Sequence, residues 1–101
     1  MTQAPWPFED PLNVITVTTR HVVDGSHPID YVSRDEEDGG WQFHTNAVAF
    51  SMADALLVRL DNMVARDASL LELADLPLGW CAVRSGPSAP WVRAPVEEDA
   101  G

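Results

Sequence analysis

The sequence contains no lysine, only one cysteine and no long hydrophobic run. Because Cys81 has no second cysteine to pair with, an intramolecular disulfide is excluded, and a lone thiol is typical of a reducing compartment. No apolar stretch approaches the roughly 20 residues of a membrane-spanning helix. The first residues also lack the basic start and apolar core of a signal peptide. These absences predict a cytoplasmic protein.

Basic residues are scarce. Sixteen Asp and Glu stand against six basic residues, all of them Arg, and the formal net charge is −10. A field of this sign repels phosphate backbones and anionic lipid headgroups, so nucleic acid and membrane surfaces are poor partners. A basic protein is the natural electrostatic partner. The alternative interpretation is that the acidity only keeps the protein soluble.

The length of 101 residues suits a single domain with one core. A hydrophobic fraction of 46% and a charged fraction of 22% are typical of a folded domain rather than a disordered chain. Three prolines within residues 1–12 predict an extended N-terminal arm, which Trp6 and Phe8 would dock onto the body. We assign residues 13–94 to a single α+β domain and residues 95–101 to a flexible acidic tail.

Segments rich in β-branched and aromatic residues predict strands. The second and third of them would form a hairpin, in which Trp41 and Phe43 alternate with polar residues. We place Ile29 and Tyr31 on the same buried side as those two rings. The predicted strands are Val14–Thr18, Ile29–Arg34, Trp41–Thr45, Gly79–Arg84 and Trp91–Arg93.

Two helices are predicted between the third and fourth strands, and a single helical turn at Thr19–Val23. The first helix would begin at the capping box Ser51–Asp54, since apolar residues at helical spacing follow it as far as Val64. A shorter helix would begin near Asp67 or Ser69 and end before Pro77. This order of elements indicates an α+β fold: a mostly antiparallel sheet of four or five strands with two helices packed on one face.

The loop of the hairpin carries four consecutive carboxylates followed by two glycines. Such a run cannot be buried without neutralising partners, so the loop must project into water. Arg34 is expected to stack on Trp41 or to pair with Asp38 across the hairpin. The candidate partner-binding residues are Arg34, Asp35, Glu36, Glu37, Asp38, Gly40 and Trp41.

No catalytic or metal-binding pattern is recognisable. His21, His27 and His44 match no compact ligand spacing, and a zinc site needs three or four convergent ligands. Cys81 lies in a predicted strand, where a buried inert thiol is the usual outcome. The acidic loop lacks the alternating ligands of a calcium loop. We therefore expect no metal, no cofactor and no enzymatic activity, unless a pocket brings a histidine or Cys81 together with a carboxylate.

Five segments between Val17 and Arg84 form an ordered series: Val17–Val22, Ile29–Arg34, Gly40–Phe43, Asp67–Leu73 and Pro77–Gly79. This series resembles a family of small bacterial domains of unknown function, the immunity protein thirty-three type, which is grouped with the predicted immunity proteins of polymorphic toxin systems. The resemblance implies an α+β fold, no known enzymatic activity and a toxin-neutralising role. Gly39 departs from the family pattern, which commonly has Ser there, and the stretch from Thr45 to Ala55 is less acidic.

Two functions remain open at this point. The first is a non-enzymatic protein-binding domain, an interaction or regulatory module that could form a homodimer through an edge strand or an exposed tryptophan patch. The alternative is an immunity-type protein that neutralises a basic toxin through its acidic loop.

Overall fold

A computed structural model describes residues 6–96 of the chain. Its six strands form one mixed, mostly antiparallel sheet in the order β4-β1-β3-β2-β5-β6, and the pairing of β1 with β3 is parallel. The α+β class and the mostly antiparallel sheet are therefore confirmed, although the expectation of four or five strands is wrong. The strands are β1 (Ile15–Thr19), β2 (Tyr31–Arg34), β3 (Trp41–His44), β4 (Ala55–Arg59), β5 (Trp80–Val83) and β6 (Val92–Pro95).

The helical segments are short. α1 (Arg20–Val23) is the single turn predicted after the first strand, and α2 (Leu60–Arg66) follows β4 directly. Two 3₁₀ segments, Met52–Asp54 and Ala68–Leu73, flank β4 and α2. Within residues 6–96, no helix combines the length and the apolar character needed to cross a lipid bilayer.

The predicted helix that starts at Ser51 is wrong over its first half. Residues Ala55–Arg59 form β4, which pairs antiparallel with β1 along its whole length. Ser51 does cap, but its side chain accepts a hydrogen bond from the Ala53 amide of a 3₁₀ turn at 3.3 Å. The ladder with β1 outweighs local helical spacing, because tertiary pairing overrides a weak intrinsic preference. Only the second half, from Leu60, is helical.

The second predicted helix is a 3₁₀ segment that begins where expected. The Asp67 carboxylate accepts a hydrogen bond from the Ser69 amide at 3.0 Å and so satisfies a free donor at the start of the segment. Leu70 and Leu73 are fully buried beneath it.

Tyr31 lies on the face of the hairpin opposite to the predicted one. Val32 lies opposite Phe43 and is fully buried, whereas Tyr31 lies opposite His44 on the other face of the sheet. Ile29 is buried as expected, but it precedes the regular strand. The alternation counted from Ile29 is therefore one residue out of phase, and a slip of one residue moves a side chain to the opposite face.

The hydrophobic core lies on one face of the sheet, under the helical segments and the N-terminal arm. Phe8 of the arm packs edge-on against Trp41, with ring centroids 5.4 Å apart, and Trp41 Nε1 donates to Asp10 Oδ1 at 3.0 Å. The expected docking of the arm is thus confirmed from Trp6 onward, while residues 1–5 of the arm and 97–101 of the tail lie outside the described residues. The core residues are Phe8, Val22, Ile29, Val32, Trp41, Phe43, Leu60, Met63, Leu70, Leu73, Leu76 and Ala82.

Arg84, directly after β5, is a buried cation whose side chain is only 1% exposed. Its Nε and Nη2 both donate to the carbonyl oxygen of Ile29, at 3.0 and 2.6 Å. Nη1 donates to Ser69 Oγ and Nη2 to the Asp67 carboxylate. Burial would raise the pKa of Asp67, but the hydrogen bonds from Ser69 and Arg84 outweigh it, and the pKa lies below its ordinary value. The pair is therefore ionised, and a buried, fully bonded pair is costly to break.

We expect Arg84→Met to lower the free energy of unfolding by about 3 kcal/mol or more, because it leaves the Ile29 carbonyl and Asp67 Oδ2 without their donor and removes the countercharge of Asp67. Arg66→Met is the matched control, since Arg66 is exposed and donates to the Val23 carbonyl. That control should cost less than about 1 kcal/mol. Urea denaturation followed by tryptophan fluorescence measures both. Equal losses for the two variants would contradict a special role for Arg84.

Candidate functional site

The face of the sheet opposite the core carries no helix among the described residues. Side chains reach it from every strand, because residues that pair across neighbouring strands point to the same face. One continuous row runs from Leu57 through Val17 and Gln42 to Ser33. We call this surface the open face, and define it by Ile15, Val17, Tyr31, Ser33, Gln42, His44, Leu57, Cys81, Val83, Val92 and Ala94.

Large apolar side chains are exposed on the open face. Leu57 is 73% exposed, Val92 61% and Ile15 54%. These residues lie toward the two edges of the sheet, and the strands between them contribute the more polar Gln42 and Ser33. The open face thus presents large apolar side chains near its edges and polar side chains between them.

A hollow of about 430 Å³ lies at the end of the open face next to the acidic loop. Its floor is polar, formed by side chains that point out of β2 and β3. The acidic loop forms its wall. We call this cavity the acidic hollow. The hollow is lined by Tyr31, Ser33, Arg34, Asp35, Glu36, Glu37, Gln42, Gly79 and Val96.

The carboxylates of the loop have different partners, although all four residues are exposed as predicted. Asp35 Oδ1 accepts from the amides of Glu37 and Asp38, at 2.7 and 3.3 Å, and so holds the turn together. Asp38 Oδ1 accepts from the Gly40 amide at 2.7 Å. No hydrogen bond or ion pair within residues 6–96 occupies the carboxylates of Glu36 and Glu37. These two are the acids available to a ligand.

Arg34 points to the covered face and joins the hairpin to the core. Its guanidinium lies over the Trp41 ring, 5.2 Å from the centroid, and Nη1 donates to the Leu76 carbonyl at 2.9 Å. The expected stacking is confirmed. The expected pairing with Asp38 is wrong, since the acids nearest Arg34 within residues 6–96 are Glu9 and Asp10 of the arm, at 3.8 and 3.9 Å.

Two other predicted site residues support the loop from below. Trp41 is 2% exposed, so its side chain lies in the core and presents no surface to a partner. A Cβ on Gly40 would lie 2.9 Å from Asp38 Oδ1, which explains why a residue without a side chain stands there. Sequence reasoning missed Tyr31, Ser33 and Gln42, although the polar positions of the hairpin alternation were the available signal.

His21 and His27 lie together, with ring centroids 5.7 Å apart, whereas His44 and Cys81 lie elsewhere in the fold. His21 Nε2 is 3.3 Å from Asp54 Oδ2, at a site where Arg20 also binds the same carboxylate at 2.6 Å. His44 and the half-buried Cys81 belong to the open face, on β3 and β5. Within residues 6–96, no group of three or more His, Cys, Asp and Glu side chains is arranged to hold a metal ion. His21 thus meets a carboxylate and packs edge-on against His27, but His44 and Cys81 are not part of that cluster.

Tyr31 gives the acidic hollow a neutral hydroxyl group. Burial raises the pKa of Tyr31, and the neighbouring Cys81 raises it further. The phenol therefore stays protonated at neutral pH and can donate or accept a hydrogen bond. Carboxylates beside neutral oxygen acceptors form an environment that suits a guanidinium or ammonium group.

No family model, curated protein or solved structure matches the chain. The resemblance to the immunity protein thirty-three type therefore rests on its quoted residues alone. The open face and the acidic hollow are the features that bear on function.

His44, on the open face, makes the stability of the protein dependent on pH. Its Nε2 lies 2.9 Å from Gln42 Oε1 and its ring 4.8 Å from that of Phe50. Burial lowers its pKa below the ordinary 6.5, so the native state binds this proton less tightly than the unfolded chain does. Well above pH 6.5, His44 is neutral in both states and does not affect the free energy of unfolding. As the pH falls below 6.5, the unfolded chain takes up the proton first, and the free energy of unfolding decreases.

We expect the free energy of unfolding of the wild type to fall more steeply than that of His44→Gln between about pH 7.5 and about pH 5. Glutamine keeps a polar group but cannot take up the proton, and every other titrating group is unchanged. Urea denaturation at each pH provides the comparison. Parallel pH profiles for the two proteins would show that burial of His44 has no such effect.

Proposed function

We propose that the chain is a non-enzymatic protein-binding domain that presents its open face and acidic hollow to a basic protein partner. The observation that supports this most directly is the exposed apolar side chains on the face of a six-stranded sheet that carries no helix among the described residues. Apolar side chains that remain exposed on the same face of a sheet as a polar hollow support an interaction surface.

The charge of the partner follows from the acidic hollow. Glu36 and Glu37 have free carboxylates at its wall, while Tyr31 and Gln42 supply hydrogen-bonding groups at its floor. A lysine or arginine side chain from the partner would enter the hollow and replace its hydration with charge-assisted hydrogen bonds. The overall charge of −10 would accelerate encounter with such a partner and make association sensitive to salt.

The same charge argues against other classes of partner. Nucleic acid and anionic membranes would be repelled, and the lone Cys81 is compatible with function in the reducing cytoplasm. The proposal requires no cofactor, because recognition would rest on charge, hydrogen bonds and apolar contact alone.

A second candidate function is neutralisation of a basic toxin. It is favoured by the exposed acidic loop, whose free carboxylates could occupy a basic cleft on the toxin. The two candidates differ in what the partner does. A toxin would lose its activity in a stoichiometric complex, whereas an ordinary interaction partner would not.

The chemistry of the acidic hollow can be tested before any partner is known. We expect N-acetyl-arginine amide to shift the backbone NMR signals of Glu36, Glu37 and Gln42. The neutral isostere N-acetyl-citrulline amide should leave them in place at the same concentration. Glu36→Gln with Glu37→Gln should abolish the shifts, because the free carboxylates are gone. Equal responses to the two ligands, or responses confined to other regions, would rule out a cation-binding hollow.

The partner itself is sought by capture on the immobilised wild type from the native cell, followed by association kinetics with the purified binder. We expect Glu36→Gln with Glu37→Gln to slow association about threefold or more at low salt, and the difference to shrink as salt screens the charges. The matched control is Glu9→Gln with Glu72→Gln, which removes the same charge from exposed sites outside the hollow.

The control should associate nearly as fast as the wild type, because it leaves the hollow intact. An acidic binder, or an on-rate that is unchanged at low salt in the hollow variant, would remove the loop from the proposal. Loss of a binder's catalytic activity in the complex would select the toxin-neutralising alternative.

A further inference from the structure

β4 is a terminal strand of the sheet, and within residues 6–96 no strand pairs with its outer side. It contains no proline or bulge, and its one charged residue, Arg59, is paired with Asp61, so the features that commonly protect an edge from pairing with another chain are weak here. The opposite edge differs. β6 ends in Pro95, and Arg93 on that strand is bound by Asp75 at 2.8 Å and by the Glu72 carbonyl.

The hydrogen bonds next to β4 show which of its backbone groups are free. The amide of Leu60 donates to the carbonyl of Val14 at 2.9 Å, so Ile15 and Arg59 form a pair that is not hydrogen-bonded to each other. By alternation, the N–H and C=O groups of every second residue of β4 point away from β1. Those residues are Ala55, Leu57 and Arg59.

Two of these outward groups are already occupied. The Ala55 amide donates to the Met52 carbonyl, which closes the preceding 3₁₀ turn. Arg59 is the N-cap of α2, where the carbonyl accepts the first bond of the helix. The groups that remain are both those of Leu57, the carbonyl of Ala55 and the amide of Arg59.

This remaining set is complementary to itself. If two copies of β4 lie antiparallel about a two-fold axis at Leu57, the Leu57 groups of one copy bond to those of the other. The free amide of Arg59 then meets the free carbonyl of Ala55 in the second copy, and the same contact recurs by symmetry. A two-fold interface requires such a match of a surface with its own copy.

The side chains agree with this register. Leu57, which is 73% exposed, would pack against its own copy on the open face. On the other face, the exposed Leu56 would lie opposite Val58 of the second copy. Cross-strand apolar pairs of this kind stabilise antiparallel strands. Met52 and Ile15, both exposed beside β4, would lose further contact with water.

The edge is also locally neutral, despite the net charge of −10 on the chain. Asp54, at the start of β4, is bound by Arg20 at 2.6 Å, and the hydrogen bond from Arg20 lowers the pKa of that carboxyl. Asp61, just beyond its end, is bound by Arg59 at 2.8 Å. Two such edges can therefore approach without the repulsion that a wholly acidic surface would produce.

We propose that the occupant of this edge is a second copy of the chain, paired antiparallel through β4 about a two-fold axis at Leu57. The sheet would then continue from one copy into the other, and the two open faces would form one surface. The inference goes beyond the proposed function, since the acidic hollow lies at β2 and β3 and stays accessible in the dimer.

Sedimentation velocity and equilibrium test the proposal. We expect the mass of the wild type to rise with concentration from 11.1 kDa toward twice that value. Leu57→Lys should remain at the monomer mass, because it places two like charges at the axis. Val92→Lys, which puts the same charge at an exposed site on the opposite edge, should dimerise like the wild type. A wild type that stays monomeric up to about 1 mM would overturn the proposal.

Amide hydrogen exchange distinguishes β4 from other dimer interfaces. The amides at positions 57 and 59 should exchange several-fold more slowly in the wild-type dimer than in the Leu57→Lys monomer. Arg59 gives the cleaner comparison, because it is the same residue in both proteins. The amides of Leu56 and Val58 point to β1 and should be protected in both proteins, which shows that the variant is folded. A wild-type dimer whose Arg59 amide exchanges as fast as in the monomeric variant would use another surface, and the proposal would be wrong.

Discussion

The buried guanidinium of Arg84 joins three parts of the chain that are distant in sequence. Its five N–H donors bond to the Ile29 carbonyl, Ser69 Oγ, the Pro87 carbonyl and the Asp67 carboxylate. Its face lies over the Trp91 ring, 4.2 Å from the centroid. The entry to β2, the 3₁₀ segment and the loop before β6 thus converge on one cation. A planar fork with fixed directions suits this role better than a lysine ammonium would.

This junction has a consequence for the open face. α1, α2 and the 3₁₀ segment Ala68–Leu73 are too short to cover more than one side of six strands, and all of them lie on the side of the core. β5 and β6 are kept on the sheet partly by the contacts of Arg84 and Trp91 beneath them. Their other sides, with Val83 and Val92, are therefore held in position without being covered. A rigid sheet with one face free of helices is well prepared for binding, because little order has to be gained on association.

Sequence patterns predicted the parts of the fold that are governed by local chemistry. The β-branched strand β1, the aromatic hairpin and the projecting carboxylates follow from alternation and from the cost of burying charge. Ala55–Arg59 could not be assigned in this way, since its leucines fit a helical stripe and only pairing with β1 decides the matter. The side of Tyr31, and with it the floor of the acidic hollow, depended on a register one residue away from the expected one. The role of Arg84 rests on partners distant in sequence, such as Ile29, which composition cannot reveal.

The absence of lysine acquires a structural meaning when each arginine is followed to its partner. Four arginines pair with aspartates away from the acidic loop, Arg34 bonds to the Leu76 carbonyl beside the arm, and Arg66 bonds to the Val23 carbonyl. Five arginines are thus engaged away from the hollow. Arg34 lines the hollow, but its guanidinium is turned toward Trp41 and the arm, and within residues 6–96 it forms no ion pair with Glu36 or Glu37. A lysine nearby would fill the hollow from within and weaken its attraction for a partner. The same pairing neutralises the edge at β4. One small set of arginines thereby separates a charged surface suited to a basic partner from a neutral edge suited to a second copy. The four pairs are Arg20–Asp54, Arg59–Asp61, Arg84–Asp67 and Arg93–Asp75.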